Sequence, residues 1–131
     1  MIVKMNNRCE GFYEYLGKFF GSRVVEKQTS DRIYDDPNKD WYVYLKDERV
    51  MAFISIESNI IKNIYAIKNS YLEELLKTVK EENEIKGSIV TRIYQDLYEK
   101  CGYKVDESNG YKNFVVISTQ NESEESELLL V

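Results

Sequence analysis

The chain has 131 residues, with 18 basic and 23 acidic side chains and a net charge of −5. That length supports one core but not two. Glu122, Glu124, Glu125 and Glu127 cluster near the C-terminus, so the rest is near neutral and exerts no general pull on nucleic acid.

Residues 1–5 read as a short strand, with none of the long apolar run that a signal peptide or a membrane span needs. From Cys9 to Gly21 the residues Phe12, Tyr13, Leu16, Phe19 and Phe20 fit one face of a helix, weakened by Gly11 and Gly17. Residues 22–40 are polar and hold the sole proline, Pro37, which predicts a long loop or a loop with a short helix. Long ordered loops in small domains are often functional. Trp41–Leu45, Val50–Glu57 and Ile60–Ile67 alternate as strands around turns at 46–49 and 58–59, giving an antiparallel meander.

Ser70 as N-cap and Glu73 at the capping-box position predict a helix from Tyr71 to about Glu82, burying Leu72, Leu75, Leu76 and Val79. Ile85–Val90 reads as a strand, and the strand–helix–strand order calls for a right-handed parallel crossover. From Thr91 a second helix follows, with Ile93, Leu97 and Cys101 at helical spacing. Lys100 suits its C-terminal dipole, and Gly102 supplies a positive-φ stop. Tyr103 and Val105 begin a strand, 106–110 is a turn region, and Tyr111–Thr119 completes the hairpin. Residues 1–120 thus form one domain, and 121–131 are an acidic, Ser-rich tail expected to be disordered.

Histidine is absent, which removes the usual base near neutral pH and the commonest metal ligand. Cys9 and Cys101 make neither a zinc site nor a disulfide framework, and reduced thiols in a cytoplasmic protein are expected. Asp36-x-Asn38-x-Asp40 echoes a calcium loop but lacks its central glycine and bidentate glutamate, so no metal is expected.

The segment Leu97-Tyr98-Glu99-Lys100-Cys101-Gly102-Tyr103-Lys104-Val105 resembles the last helix and following strand of the GCN5-related N-acetyltransferase (GNAT) superfamily, whose usual form is Leu-Tyr-x-Lys-x-Gly-Phe. The order of elements over 2–118 is also that family's order. The resemblance implies an α+β fold: a mixed, mainly antiparallel seven-strand sheet with helices on both faces, splayed between the fourth and fifth strands. It implies a small acyl-CoA-dependent N-acyltransferase with acetyl-CoA as cofactor and a small-molecule or protein amine as acceptor. In such proteins the acyl group and pantetheine lie in the splay, here beside Ile64, Tyr65, Ala66 and Ile67. The pyrophosphate sits on the amides that open the next helix, here Asn69, Ser70 and Tyr71. Thr91 falls where the family often has an asparagine touching the pantetheine.

Tyr98 matches the tyrosine that protonates the departing thiolate, a role for which a phenol is suited. A core-edge aromatic explains it equally well. Glu57 is the nearest carboxylate for a general base, because the strand that usually carries one offers Asn63 and Tyr65. Arg32, Tyr34 and Trp41 lie where the family shapes its acceptor site. The chain departs from the family at the phosphate loop. In place of Arg-Gly-x-Gly it has Lys68-Asn69-Ser70-Tyr71-Leu72-Glu73-Glu74, without glycine and with two carboxylates near the helix start that would repel a diphosphate. The alternative function is therefore a non-catalytic binding or inhibitor protein on the same fold, using the cleft or the 22–40 loop for a macromolecular partner. Small members with such a loop look like those carried by bacteria and their phages.

Overall fold

Two tight turns lay down the first sheet of the computed structural model. Asp47 and Glu48 (φ 52° and 63°) and Ser58 and Asn59 (φ 53° and 64°) are consecutive left-handed pairs. Such pairs match the twist of the strands they join. They connect β2 (Asp40–Lys46), β3 (Arg49–Glu57) and β4 (Ile60–Ala66) as the expected meander, and β1 (Ile2–Met5) pairs antiparallel with β2. On β3 and β4, Ser55 pairs with Asn63 but Ile56 pairs with Ile61, so Lys62 is an extra residue that bulges the strand.

A second sheet holds β5 (Ser88–Thr91), β6 (Lys104–Tyr111) and β7 (Phe114–Ser118) in the order β5-β7-β6. The described residues are 1–119, with 108–110 described by backbone alone, and the expectation of a disordered tail at 121–131 falls outside them. Within them the seven strands form a four-strand and a three-strand sheet, parted between β4 and β5 as expected. The last hairpin turns at Lys112 and Asn113 rather than at 106–110. Arg92 fastens that turn to the end of β5 by donating to the carbonyls of Tyr111 (2.6 Å), Lys112 (3.1 Å) and Phe114 (3.1 Å).

Helices cover both faces. On one, α3 (Asn69–Glu82) and α4 (Gln95–Lys100) bury Leu72, Leu75, Leu76, Val79, Leu97 and Tyr98 against Ile54, Ile61 and Ile64. On the other, α1 (Phe12–Leu16), a 3₁₀ turn at 17–19 and α2 (Arg23–Thr29) bury Phe12, Leu16, Phe19 and Val25 against Trp41, Val43 and Phe53. The single helix expected over 9–21 is thus a short helix and a tighter turn, and α2 is the short helix of the 22–40 stretch. Among the described residues no helix is long and apolar enough to cross a membrane.

Two helix starts differ from expectation. The backbone of α3 begins at Asn69 with Lys68 at the N-cap and no side-chain cap bond, so Ser70 and Glu73 do not form a capping box. The Glu73 carboxylate instead meets Lys100 (3.3 Å) and Lys77 (3.3 Å), which hold it below the usual carboxylate range. Residues Arg92–Tyr94 form a 3₁₀ turn ahead of α4, and its tighter winding turns Ile93 out to solvent.

Gly102 has φ +88°, as the stop to α4 requires, and Tyr103 N–H reaches back to Tyr98 O (2.9 Å). An added Cβ would meet only the flexible Lys80 ammonium, so backbone strain dominates. Gly102→Ala is expected to cost about 1–2 kcal/mol, read as a lower urea midpoint at unchanged slope.

Candidate functional site

The parting of β4 from β5 is closed at one end. Lys86 N–H donates to Asn59 O (2.9 Å), and Ile61 N–H donates to Ser88 Oγ (2.7 Å). At the other end Tyr94, just past β5, reaches Ala66 of β4. The linked pairs 59 with 86, 61 with 88 and 66 with 94 advance together, so the two strands run parallel. Between these ties no ladder joins them.

The Ala66 peptide group faces the gap. Ile67 N–H donates to Met51 O of the β3 side (2.9 Å), and alternation along the strand turns the groups of Ala66 the other way. There Ala66 N–H donates to Tyr94 Oη (3.0 Å), and the same hydroxyl lies 3.4 Å from Ala66 O, to which it donates. Tyr94 is only 9% exposed. Burial pushes its hydroxyl up in pKa, so it stays protonated and serves as both donor and acceptor. A phenol therefore spans the gap between the sheets.

The other residues expected here divide into those near the gap and those away from it. Ile64 is buried in the α3 and α4 core with Val90. Tyr65 faces the opposite side, its ring centroid 5.3 Å from that of Phe19. Ile67, Asn69 and Ser70 are exposed at the head of α3, and Tyr71 packs on Tyr44 with centroids 4.8 Å apart. Thr91 Oγ donates to Thr29 O (2.6 Å) and so ties β5 to the end of α2. Tyr98 is 0% exposed and donates to Thr91 O (2.7 Å), and burial pushes its hydroxyl well up in pKa. Its phenol is enclosed in the core rather than presented to the gap.

The remaining expected residues sit as follows. Glu57 pairs with Ile60 beside the 58–59 turn, and from there to Ala66 is about 20 Å at ~3.3 Å per residue. Trp41 shares a strand face with Val43 and Leu45, is 0% exposed and donates from Nε1 to Asp35 Oδ1 (2.9 Å), so it is core rather than acceptor surface. Arg32 is exposed but already held by Glu26 (3.1 Å). Tyr34 remains half exposed on the loop.

What sequence reasoning missed is a polar cluster on the α1 and α2 face. Asn63 Nδ2 donates to Asp31 Oδ2 (2.9 Å), while Asn63 Oδ1 accepts from Lys39 Nζ (2.9 Å) and Ser55 Oγ (2.7 Å). Lys39 also donates to Tyr34 O (2.6 Å). Burial raises the Asp31 carboxyl above its ordinary value, against the opposing Asn63 hydrogen bond and Lys39 charge. Burial likewise lowers the Lys39 ammonium, against the pull of Asp36, Asp35 and Asp31. Ser55 and Asn63 carried the available signal: polar residues inside apolar strands need buried partners. Nothing periodic in the 31–39 loop identified those partners.

Neither a protein-family model nor a curated protein matches the chain. Solved structures do match. The acyl-homoserine lactone synthase BjaI, CoA-dependent and solved with SAM and isopentyl-CoA, aligns at TM-score 0.61 and 10% identity over 96% of this chain and 86% of its own. Escherichia coli ElaA aligns at 0.55 and 10% identity, over 89% and 97%. Campylobacter jejuni N-acetyltransferase PseH, solved with acetyl coenzyme A, aligns at 0.50 and 15% identity, over 89% and 96%. This chain has the GNAT fold. Within that fold the parted strands β4 and β5, the Ala66 peptide and the head of α3 lie along one continuous path.

Two outcomes follow for the GNAT-fold core. Tyr98→Phe is expected to cost about 1 kcal/mol by removing the buried hydrogen bond to Thr91 O, seen as a lower urea midpoint. Because the folded-state pKa of Asp31 is raised, its contribution favours folding at low pH and is lost as pH rises through that value. Asp31→Asn should therefore gain stability relative to the parent as pH rises from about 4 towards 7, by urea unfolding of both proteins across that range.

Proposed function

We propose that the protein is a small acyl-CoA-dependent N-acyltransferase whose β4–β5 gap receives the pantetheine arm. The observation that carries this reading is the Ala66 peptide group turned into a gap between parallel strands, with α3 starting at Asn69 just beyond. An arm bearing amides can pair with β4 there as an added strand would. BjaI with isopentyl-CoA and PseH with acetyl coenzyme A support a cofactor of this class.

The residues present fit a CoA-type cofactor at the helix end. Asn69 and Ser70 are exposed residues at the start of α3, and no side chain caps it. Lys68 stands exposed beside them. Glu73 and Glu74 lie beyond the first turn, and Glu73 is neutralised by Lys100 and Lys77. That removes much of the repulsion the sequence suggests. Acetyl-CoA supplies an activated thioester when bound. The chain's own groups hold the arm along β4, and Thr91 and Ile64 shape the gap.

In this reading the acceptor amine, on a small molecule or a protein, approaches from the α1 and α2 face, past Tyr34 and Arg32. Asp31 is the carboxyl nearest β4 on that side and takes the amine proton, its raised pKa bringing it closer to the working range of a base. Tyr94, whose hydroxyl lies at the gap, is the phenol placed to meet the thiolate, whereas Tyr98 is enclosed behind it.

Two observations favour a second reading, a non-catalytic binding protein on the same fold: Tyr94 occupies the gap, and no glycine lies in 68–72. Thermal unfolding with acetyl-CoA separates the two. At a hundredfold excess over its Kd the cofactor should add ~2.7 kcal/mol of stability. No shift at millimolar acetyl-CoA would overturn the enzyme reading and leave the binding protein.

A further inference from the structure

The contact between Tyr94 and Ala66 has the chemistry of a peptide pairing. One hydroxyl accepts from the Ala66 N–H and donates to its carbonyl, the two bonds that a neighbouring strand, or an amide-bearing ligand, would make at an open sheet edge. The ring that carries this hydroxyl is nearly buried in the core that also holds Ile64, Val90 and Leu97, so it contributes packing as well as satisfying the edge. Two partners cannot hold one N–H and one carbonyl in the same plane.

We infer that Tyr94 is an internal competitor for the β4 edge and decides whether an amide-bearing arm can pair at Ala66. This rests on the reading of the gap as a pantetheine site. The backbone around Tyr94 is fixed on both sides. Arg92 bonds the 112–114 turn through its side chain, and its N–H donates to Asn113 O (2.9 Å). Leu97 and Tyr98 of α4 are packed in the core directly after it. Release of Ala66 must therefore come from rotation of the Tyr94 side chain. The cost of that rotation weakens the apparent affinity for the arm by the fraction of molecules in which the edge is free.

The test is calorimetric titration of acetyl-CoA into the wild type, Tyr94→Phe and Tyr94→Ala. Tyr94→Phe keeps the ring that fills the core and removes only the hydroxyl, so it guards against a misfolded alanine variant. It should bind roughly three- to tenfold more tightly than the wild type, the factor that loss of one modest hydrogen bond gives. Binding by either variant with none by the wild type would support the competitor role and, with it, the binding-protein reading of the wild type. Equal affinities in all three proteins, or weaker binding by Tyr94→Phe, would overturn it and leave the pantetheine site standing. Absence of binding by all three would overturn both.

Discussion

Everything in this molecule turns on a row of backbone groups that face a neighbour but have no ladder to join. Strands β4 and β5 run side by side in parallel, yet each belongs to a different sheet. Buried peptide groups left without partners are costly. Here side-chain hydroxyls stand in for the missing strand: Ser88 takes the Ile61 amide and Tyr94 takes the Ala66 amide. Hydroxyls suit the purpose because each can accept and donate, and because a side chain, unlike a ladder, can be replaced one contact at a time.

The same substitution links the two faces of the fold. Thr91 at the end of β5 donates to Thr29 at the end of α2, and Asp31 two residues on accepts from Asn63 in the middle of β4. Residues 29–31 thus bridge the parting from one face while Tyr94 bridges it from the other. The buried Asn63 draws Asp31, Lys39 and Ser55 around itself. Removing Asn63 itself would leave Asp31, Lys39 and Ser55 each short of a buried partner.

Much of the fold was legible because local chemistry agreed with it. The meander, the α3 stripe, the α4 stop at Gly102 and the place of the parting all follow from period, turn residues and motif. The differences have local causes as well. Ser70 gives way as N-cap because Lys68 already has an extended backbone and Glu73 finds two lysines to the side. Ile93 leaves its stripe because a 3₁₀ turn does not share the α-helical period. The site was less legible. Tyr98 and Trp41 carry the right chemistry for recognition or proton transfer, but alternation and packing turn both inward. In the sequence Tyr94 is one of eleven tyrosines, with nothing to single it out. Its importance comes from a partner 28 positions away that no spacing rule announces.

The fastening of the last hairpin by Arg92 has a kinetic side. With the 92–94 turn pinned to the carbonyls of Tyr111, Lys112 and Phe114, no lid has to fold or melt for the cleft to change state. Access reduces to torsions about one residue's Cα–Cβ and Cβ–Cγ bonds. Side-chain hops are faster than loop or domain closures, so a gate of this kind sets how tightly a visitor is held without having to set how quickly it turns over.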